Sequence, residues 1–198
     1  YGITRVALSV AHMSDQIQEY YGDGSHIGME ISYLVEPEPM GTGGWTQLIN
    51  WDTLEDDVIV LNADNVFWID LNAFLKQHEQ VGGVATIAAI RMPSEEMSAG
   101  ELLLHKGSEL MDYIDREDSQ PYLDQNDHVF VSSGWYVMSP KKIQQLIPKS
   151  GSISMERDIW PQLSASNETI GFYHATEPWF DTGTHERLEK IERFLDQQ

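Results

Sequence analysis

The chain has 198 residues, with 32 Asp plus Glu against 12 Lys plus Arg, a formal net charge of −20. So acidic a chain lacks the cationic face that nucleic acid or an anionic membrane surface needs, so neither is an expected partner. Its 41% hydrophobic content can fill one sizeable core, and the absence of cysteine excludes a disulfide scaffold, cysteine-ligated zinc and thiol catalysis.

The chain opens on Tyr1 with no signal-peptide pattern behind it, so its start reads as a cut end. Arg5–Val10 (RVALSV) is a short buried strand, and Ser14-Asp15 opens an amphipathic stretch that stops at the turn Gly22-Asp23-Gly24-Ser25. Met29–Val35 alternates apolar and polar residues as a second strand. The segment EPEPMGTGG that follows is too rich in Pro and Gly to be other than an ordered loop. A helix is predicted over Trp45–Leu54. Val58–Leu61 (VIVL) is the clearest buried strand and ends at Asn62-Ala63-Asp64-Asn65. A helix over Asp70–Gln80 and a buried strand over Ala85–Ile90 come next. Glu101–Ile114 reads as a hairpin turning at Lys106-Gly107-Ser108, His128–Met138 as a strand region and Pro140–Ile147 as a short helix. Thr169–Ala175 is a last strand and Arg187–Leu195 a terminal amphipathic helix. Strands alternating with helices predict an α/β layered fold with a mainly parallel sheet. No repeat or linker interrupts the chain, so one domain is expected over 1–198. No apolar run approaches the ~20 residues of a membrane helix. A cysteine-free chain without targeting marks fits a cytoplasmic enzyme.

Three constellations offer chemistry. Met40-Gly41-Thr42-Gly43-Gly44 follows a strand, and its glycines let a ligand approach the backbone, whose N–H groups can cradle a base edge or a phosphate. Such a loop serves equally as a tight turn, and no Gly-Lys-Ser/Thr follows to make it a P-loop. Asp64 stands just beyond the VIVL strand, where open α/β sheets bind ligands and where a carboxylate is placed to hold Mg²⁺. An Asx-turn explains a lone aspartate there as well. Trp179-Phe180-Asp181-Thr182-Gly183-Thr184 precedes the last helix. Asp181 offers a second metal ligand, or with Thr184 it simply helps to cap that helix. The seven histidines lack metal-ligand spacing and read as surface or core residues. Arg187, Glu189, Lys190, Glu192 and Arg193 read as a solvated helix face.

Together these segments resemble the sugar-nucleotide pyrophosphorylases, the nucleoside-diphosphate-sugar nucleotidyltransferases. The resemblance runs through GDGSHIGMEISYLVEPEPMGTGG, VIVLNADNVFWIDLNAFLKQH, SISMERDIWPQL and WFDTGTHERLEKIERFL, in that order. It implies a Rossmann-like fold, with a mixed, mainly parallel sheet flanked by helices and a small β-hairpin subregion. It also implies Asp64 and Asp181 as Mg²⁺ ligands, and Gly41, Thr42, Gly43 and Gly44 around the nucleobase. Gly100, Ser132–Gly134 and Glu156 would line the sugar pocket. Arg116 would clamp the sugar phosphate and Asp115 a sugar hydroxyl. Here the chain departs from the family: Asp115-Arg116-Glu117 stands where Glu-Lys-Pro is usual, and Ser132 where Asn is usual.

Glu36, five residues before Gly41, falls where the family reads the base edge. A carboxylate there accepts from guanine N1–H and N2–H₂ together, which favours GTP over UTP or dTTP. The sequence is most similar to mannose-1-phosphate and heptose-1-phosphate guanylyltransferases. The implied reaction joins a sugar 1-phosphate to an NTP, giving NDP-sugar and pyrophosphate, by positioning and charge neutralisation. The family's opening strand with GGxGTRL and its PKP lysine is not in this sequence. That strand would lie between Arg5–Val10 and Val58–Leu61, and without it the chain is expected to turn over little substrate. Three alternatives remain: a regulatory or degenerate paralogue that binds a sugar nucleotide, a glycosyltransferase (which usually shows Asp-x-Asp where this chain has Asn62-Ala63-Asp64), and an interaction module. The identity of the sugar stays open, as does a homo-oligomer, which six Trp residues permit without locating an interface.

Overall fold

The structure is a computed structural model that describes residues 1–54, 56–97 and 101–196. Ten strands and six α-helices follow in the described residues. Strand β1 (Arg5–Val10), helix α1 (Ser14–Tyr21) and strand β2 (Glu30–Val35) come first. Then come β3 (Val58–Leu61), β4 (Asn65–Phe67), α2 (Leu71–Val81), β5 (Ala85–Pro93), β6 (Leu102–Lys106) and β7 (Glu109–Ile114). Helix α3 (Gln120–Gln125), strand β8 (His128–Met138), α4 (Pro140–Ile143) and α5 (Trp160–Ser164) lead to β9 (Ile170–Ala175), β10 (Trp179–Asp181) and α6 (His185–Leu195).

The main sheet has the order β3-β8-β5-β9-β7-β6. The mixed α/β class is as expected, but the ladders are less parallel than the strand–helix alternation suggests. Within this sheet only β5 and β9 pair in parallel, and β8 and β7 run against their neighbours. The expected hairpin is β6–β7. It turns through Gly107-Ser108, with Gly107 at φ +60°, and continues the sheet through β9. Among the described residues strands β1 and β2 pair only with each other, in parallel. The ladder of β3 away from β8 is likewise unpaired among the described residues. Parallel strands are normally covered on both faces, yet β1 is half-buried at best until Val10; at the end of the antiparallel edge strand β3, Leu61 is 46% exposed.

Pleat alternation splits the sheet's side chains between two layers. Ile87, Ala89, Tyr136 and Met138 face a core closed by Ile143, Ile153, Met155, Trp160 and Leu163. Ala88 and Val137 face the opposite side, against Phe74 of α2. Helix α2 is bounded by sequence signals: the Asp70 carboxylate accepts from the N–H groups of Asn72 and Ala73, and Gly82 closes it at φ +67°. The helix expected over Trp45–Leu54 is instead two 3₁₀ turns, Gly44–Gln47 and Trp51–Thr53. Local side-chain bonds compete there with helix formation. Thr46 Oγ1 donates to the Gly43 carbonyl, Trp51 Nε1 donates to the Thr46 carbonyl, and Asn50 Oδ1 accepts from Asp52 N–H. Helix α4 stops at Ile143, four residues short of the expected end. No helix among the described residues is long and apolar enough to cross a membrane.

Candidate active site

The Asp64 turn and the Asp181 loop, far apart in sequence, are joined by backbone hydrogen bonds. Strands β4 and β10 pair antiparallel, with Asn65 opposite Asp181. Thr182 donates from both its N–H (2.7 Å) and its hydroxyl (2.8 Å) to the Asp64 carbonyl. The carboxylates then face one small space: a methyl group added at Gly183 would lie 3.2 Å from Asp181 Oδ1 and 3.2 Å from Asp64 Oδ2. Asp181 Oδ1 accepts from Gly183 N–H at 2.8 Å, and Thr184 caps α6 by accepting from Arg187 N–H. Asp181 thus shapes the turn before the helix and still faces Asp64.

Beside this pair, β8 bulges. Between Ile87 and Ala89 of β5 its register skips from Tyr136 to Ser132, so Ser133–Trp135 oppose a single residue. Gly134 sits at φ +77°, and a Cβ there would lie 2.3 Å from the Asn65 amide nitrogen. The Ser133 carbonyl accepts from Asn65 Nδ2 and from Trp179 Nε1, each at 2.9 Å, which fastens the bulge to β4 and β10. Gly134 N–H donates to Ser132 Oγ, which donates in turn to the Tyr136 hydroxyl. Burial pushes the phenols of Tyr136 and Tyr113 above their ordinary range, so both stay neutral.

The glycine loop is anchored from the other side. Gly43 N–H donates to the Ile153 carbonyl (2.8 Å) and Ile153 N–H to the Met40 carbonyl (2.7 Å). Thr42 Oγ1 donates to Glu156 Oε2 at 2.6 Å and accepts from Met155 N–H at 2.9 Å. Ser154 Oγ also donates to Glu156 Oε2. Glu156 lies in a π-type turn, Met155–Ile159, a form of helix that often marks functional positions. Glu36 spends one bond from each oxygen inside the chain, accepting from Met40 N–H and from Ser9 Oγ, both at 2.8 Å. It therefore holds the loop, with lone pairs left for a ligand.

A cavity of about 520 Å³ joins the aspartate pair, the β8 bulge and Glu156. Of the residues singled out in the sequence, Asp64, Asp181, Arg116, Ser132, Gly134 and Glu156 line it. Glu36 and the glycines at 41, 43 and 44 do not; the loop reaches the cavity's edge where Thr42 bonds Glu156. Asp115 is exposed and is not among the lining residues. Gly100 lies outside the described residues. Arg187 and Lys190, read in the sequence as solvated, also line the cavity. Their spacing of three at the start of the helix that follows Asp181 is the one signal that could have suggested it. Five carboxylates and three cationic side chains lie around the space. That balance repels a phosphate ligand unless a cation joins it.

Among the described residues no cluster of three or more His, Asp or Glu side chains could hold a metal. The two-aspartate pair still suits Mg²⁺, which takes one or two carboxylates and fills its shell with water and substrate phosphate. The Asp64 carboxylate has no hydrogen-bond or ion-pair partner among the described residues, so it is free to ligate.

A family model described as "Nucleotidyl transferase" matches residues 1–198. Among curated proteins, the mannose-1-phosphate guanylyltransferase of Mycobacterium tuberculosis is 27% identical over 186 residues, 93% of this chain and 50% of that protein. The UTP–glucose-1-phosphate uridylyltransferase of Synechocystis is 23% identical over 195 residues, covering 92% of this chain and 49% of its own. The D-glycero-alpha-D-manno-heptose 1-phosphate guanylyltransferase of Aneurinibacillus thermoaerophilus is 34% identical over 87 residues, 44% of this chain and 37% of that one. The chain spans about half the length, or less, of these relatives. Among solved structures, HddC from Yersinia pseudotuberculosis superposes with a TM-score of 0.75 at 20% identity, covering 98% of this chain and 80% of that one, a likeness of fold.

Proposed function

We propose, from the premise that the chain belongs to the nucleotidyl transferase family, that it joins a sugar 1-phosphate to a nucleoside triphosphate, with GTP preferred. The observation that carries this reading is the approach of Asp64 and Asp181 to one space beside a cavity lined by Arg116, Ser132 and Glu156. The curated guanylyltransferases among its relatives support guanine, as does a second HddC structure complexed with GMP-PN. In this reading a phosphate oxygen of the sugar phosphate attacks the α-phosphorus of the NTP. The bond to the β-phosphate oxygen breaks, and pyrophosphate leaves with that electron pair. No general base is needed, because the attacking phosphate is already ionised at neutral pH.

The residues of this chain bind and align. Thr42 and the glycines of its loop hold the base, with Glu36 accepting from a guanine edge while it fixes the loop through Met40. Ser132, the Gly134 bulge and Glu156 contact the sugar. Arg116 faces its phosphate as a planar, permanently charged donor. Asp64 and Asp181 would hold Mg²⁺, which supplies charge neutralisation to the phosphates.

The test is a thermal-shift panel of GTP, UTP, dTTP, ATP and CTP with Mg²⁺ on the 198-residue chain and on its Asp64→Asn variant. A ligand at a hundred times its Kd stabilises the fold by about 2.7 kcal/mol. GTP is expected to give the largest shift, and Asp64→Asn to shrink it. Equal shifts with all five nucleotides would remove the guanine preference, and no shift with any would remove the reading.

A further inference from the structure

The terminal helix, which the sequence presents as a solvated face, meets the two aspartates. Arg187 Nη1 lies 2.5 Å from Asp181 Oδ2, while Asp181 Oδ1 already accepts from Gly183 N–H. Both oxygens of Asp181 are therefore engaged within the chain, whereas the carboxylate of Asp64 is unpaired among the described residues. Lys190, three residues on and so on the same helix face, lines the same cavity. The Arg187 backbone is held by the Thr184 cap, but its side chain is 52% exposed and has no other hydrogen-bond partner among the described residues. The guanidinium is thus a tethered charge on a fixed stem.

We infer that Arg187 is the resident counter-ion of Asp181, which gives way when a divalent cation binds between Asp64 and Asp181. The freed guanidinium then joins Lys190 on the phosphate ligand. The inference rests on the proposed function and concerns the same site. A guanidinium seated on Oδ2 and a divalent ion drawn to the same carboxylate repel each other, so the two compete. Once released, the planar guanidinium matches a phosphate in a bidentate geometry that an ammonium cannot reproduce. The exchange also answers the charge problem of the cavity, where carboxylates outnumber cationic side chains. Arg187 holds the pair of aspartates before the cation arrives and then serves the anionic ligand that follows it. It is a positioning residue in the first state and a ligand contact in the second.

The competition gives effects of opposite sign, which a simple helix-capping ion pair would not. Mn²⁺ serves as the probe, since it shares the oxygen ligands of Mg²⁺ and its free form is counted directly by electron paramagnetic resonance. In the 198-residue chain Arg187→Gln is expected to bind Mn²⁺ about three- to tenfold more tightly, as one unit of nearby positive charge is removed. The same variant, saturated with Mn²⁺, is expected to bind pyrophosphate about five- to tenfold more weakly, having lost a charged donor. Arg187→Lys keeps the charge and should return Mn²⁺ affinity towards that of the parent, while recovering only part of the pyrophosphate affinity. Unchanged or weaker Mn²⁺ binding in Arg187→Gln would overturn the inference. So would a loss of Mn²⁺ and pyrophosphate binding together. Asp64→Asn separates this failure from the larger one. If Mn²⁺ binding ignores that substitution, the proposed function and the inference fall together. If it depends on Asp64 while Arg187→Gln changes nothing, only the inference falls.

Discussion

Gly41→Ala probes the joint that carries the glycine loop. Gly41 sits at φ +85°, and a Cβ there would stand 2.3 Å from the Ile153 carbonyl oxygen and 2.9 Å from its carbon. A left-handed backbone costs an L-residue about 1–2 kcal/mol. The overlap is with main chain, which cannot rotate aside as a long side chain would, so the loop has to move off the 153–156 segment. That movement strains three bonds: Gly43 N–H to the Ile153 carbonyl, Ile153 N–H to the Met40 carbonyl, and Met155 N–H to Thr42 Oγ1. At about 1 kcal/mol net for each bond lost, the substitution should cost about 4–5 kcal/mol in all. Gly151→Ala is the control, because Gly151 has a similar φ of +92° but open space where its Cβ would go. It should pay only the backbone part, about 1–2 kcal/mol. Urea unfolding of both variants measures the difference directly. If Gly41→Ala is no more destabilising than Gly151→Ala, the close packing of the glycine loop on the 153–156 segment is refuted.

His78 predicts a pH dependence. Its ring is buried between Thr86 Oγ1 (2.8 Å) and Ser139 Oγ (3.0 Å), and desolvation holds its pKa below 6.5 although Asp57 pulls it upward. The unfolded chain therefore takes up the proton first, so this stability is full above the unfolded value of 6.5 and is lost as pH falls from there towards the folded value. Urea midpoints from about pH 8 down to about pH 5 should fall more steeply in the parent than in His78→Gln, and equal slopes would contradict the assignment. Tyr113 predicts a substitution that costs little. Its hydroxyl is buried with no hydrogen-bond partner among the described residues. Tyr113→Phe should leave stability unchanged or raise it by up to about 1 kcal/mol, and a loss larger than that would reveal a partner for the hydroxyl.

Much of the scaffold was legible because strong local signals marked it. Asp70 and Gly82 bound α2 as caps, Gly107 marks the hairpin turn, and the β-branched run VIVL makes β3. Strands β4 and β10 escaped notice. Three residues each, Asn65–Phe67 and Trp179–Asp181, are too short to show a period of two. They nevertheless carry the pairing that brings Asp181 beside Asp64. The helix expected from Trp45 failed because Thr46 and Asn50 bond to nearby backbone, a competition that propensity does not register. Arg187 and Lys190 looked like ordinary surface charge for a related reason. A helical face is identified by what it meets, and a charged face meets water unless the fold brings something else to it.

The sequence by itself determined most of the longer strands and helices, where the glycines fall, and which ordered motifs place the chain in its family. These follow from near neighbours along the chain, through backbone geometry and the spacing of apolar side chains. Only the tertiary structure decided that Asp64 and Asp181 share one space, that Thr42 holds Glu156, that Asp115 stands outside the cavity and that Arg187 pairs with Asp181. Each of these joins or separates groups by contacts between distant segments. Such contacts are fixed by strand register and core packing, quantities that no short window of sequence contains.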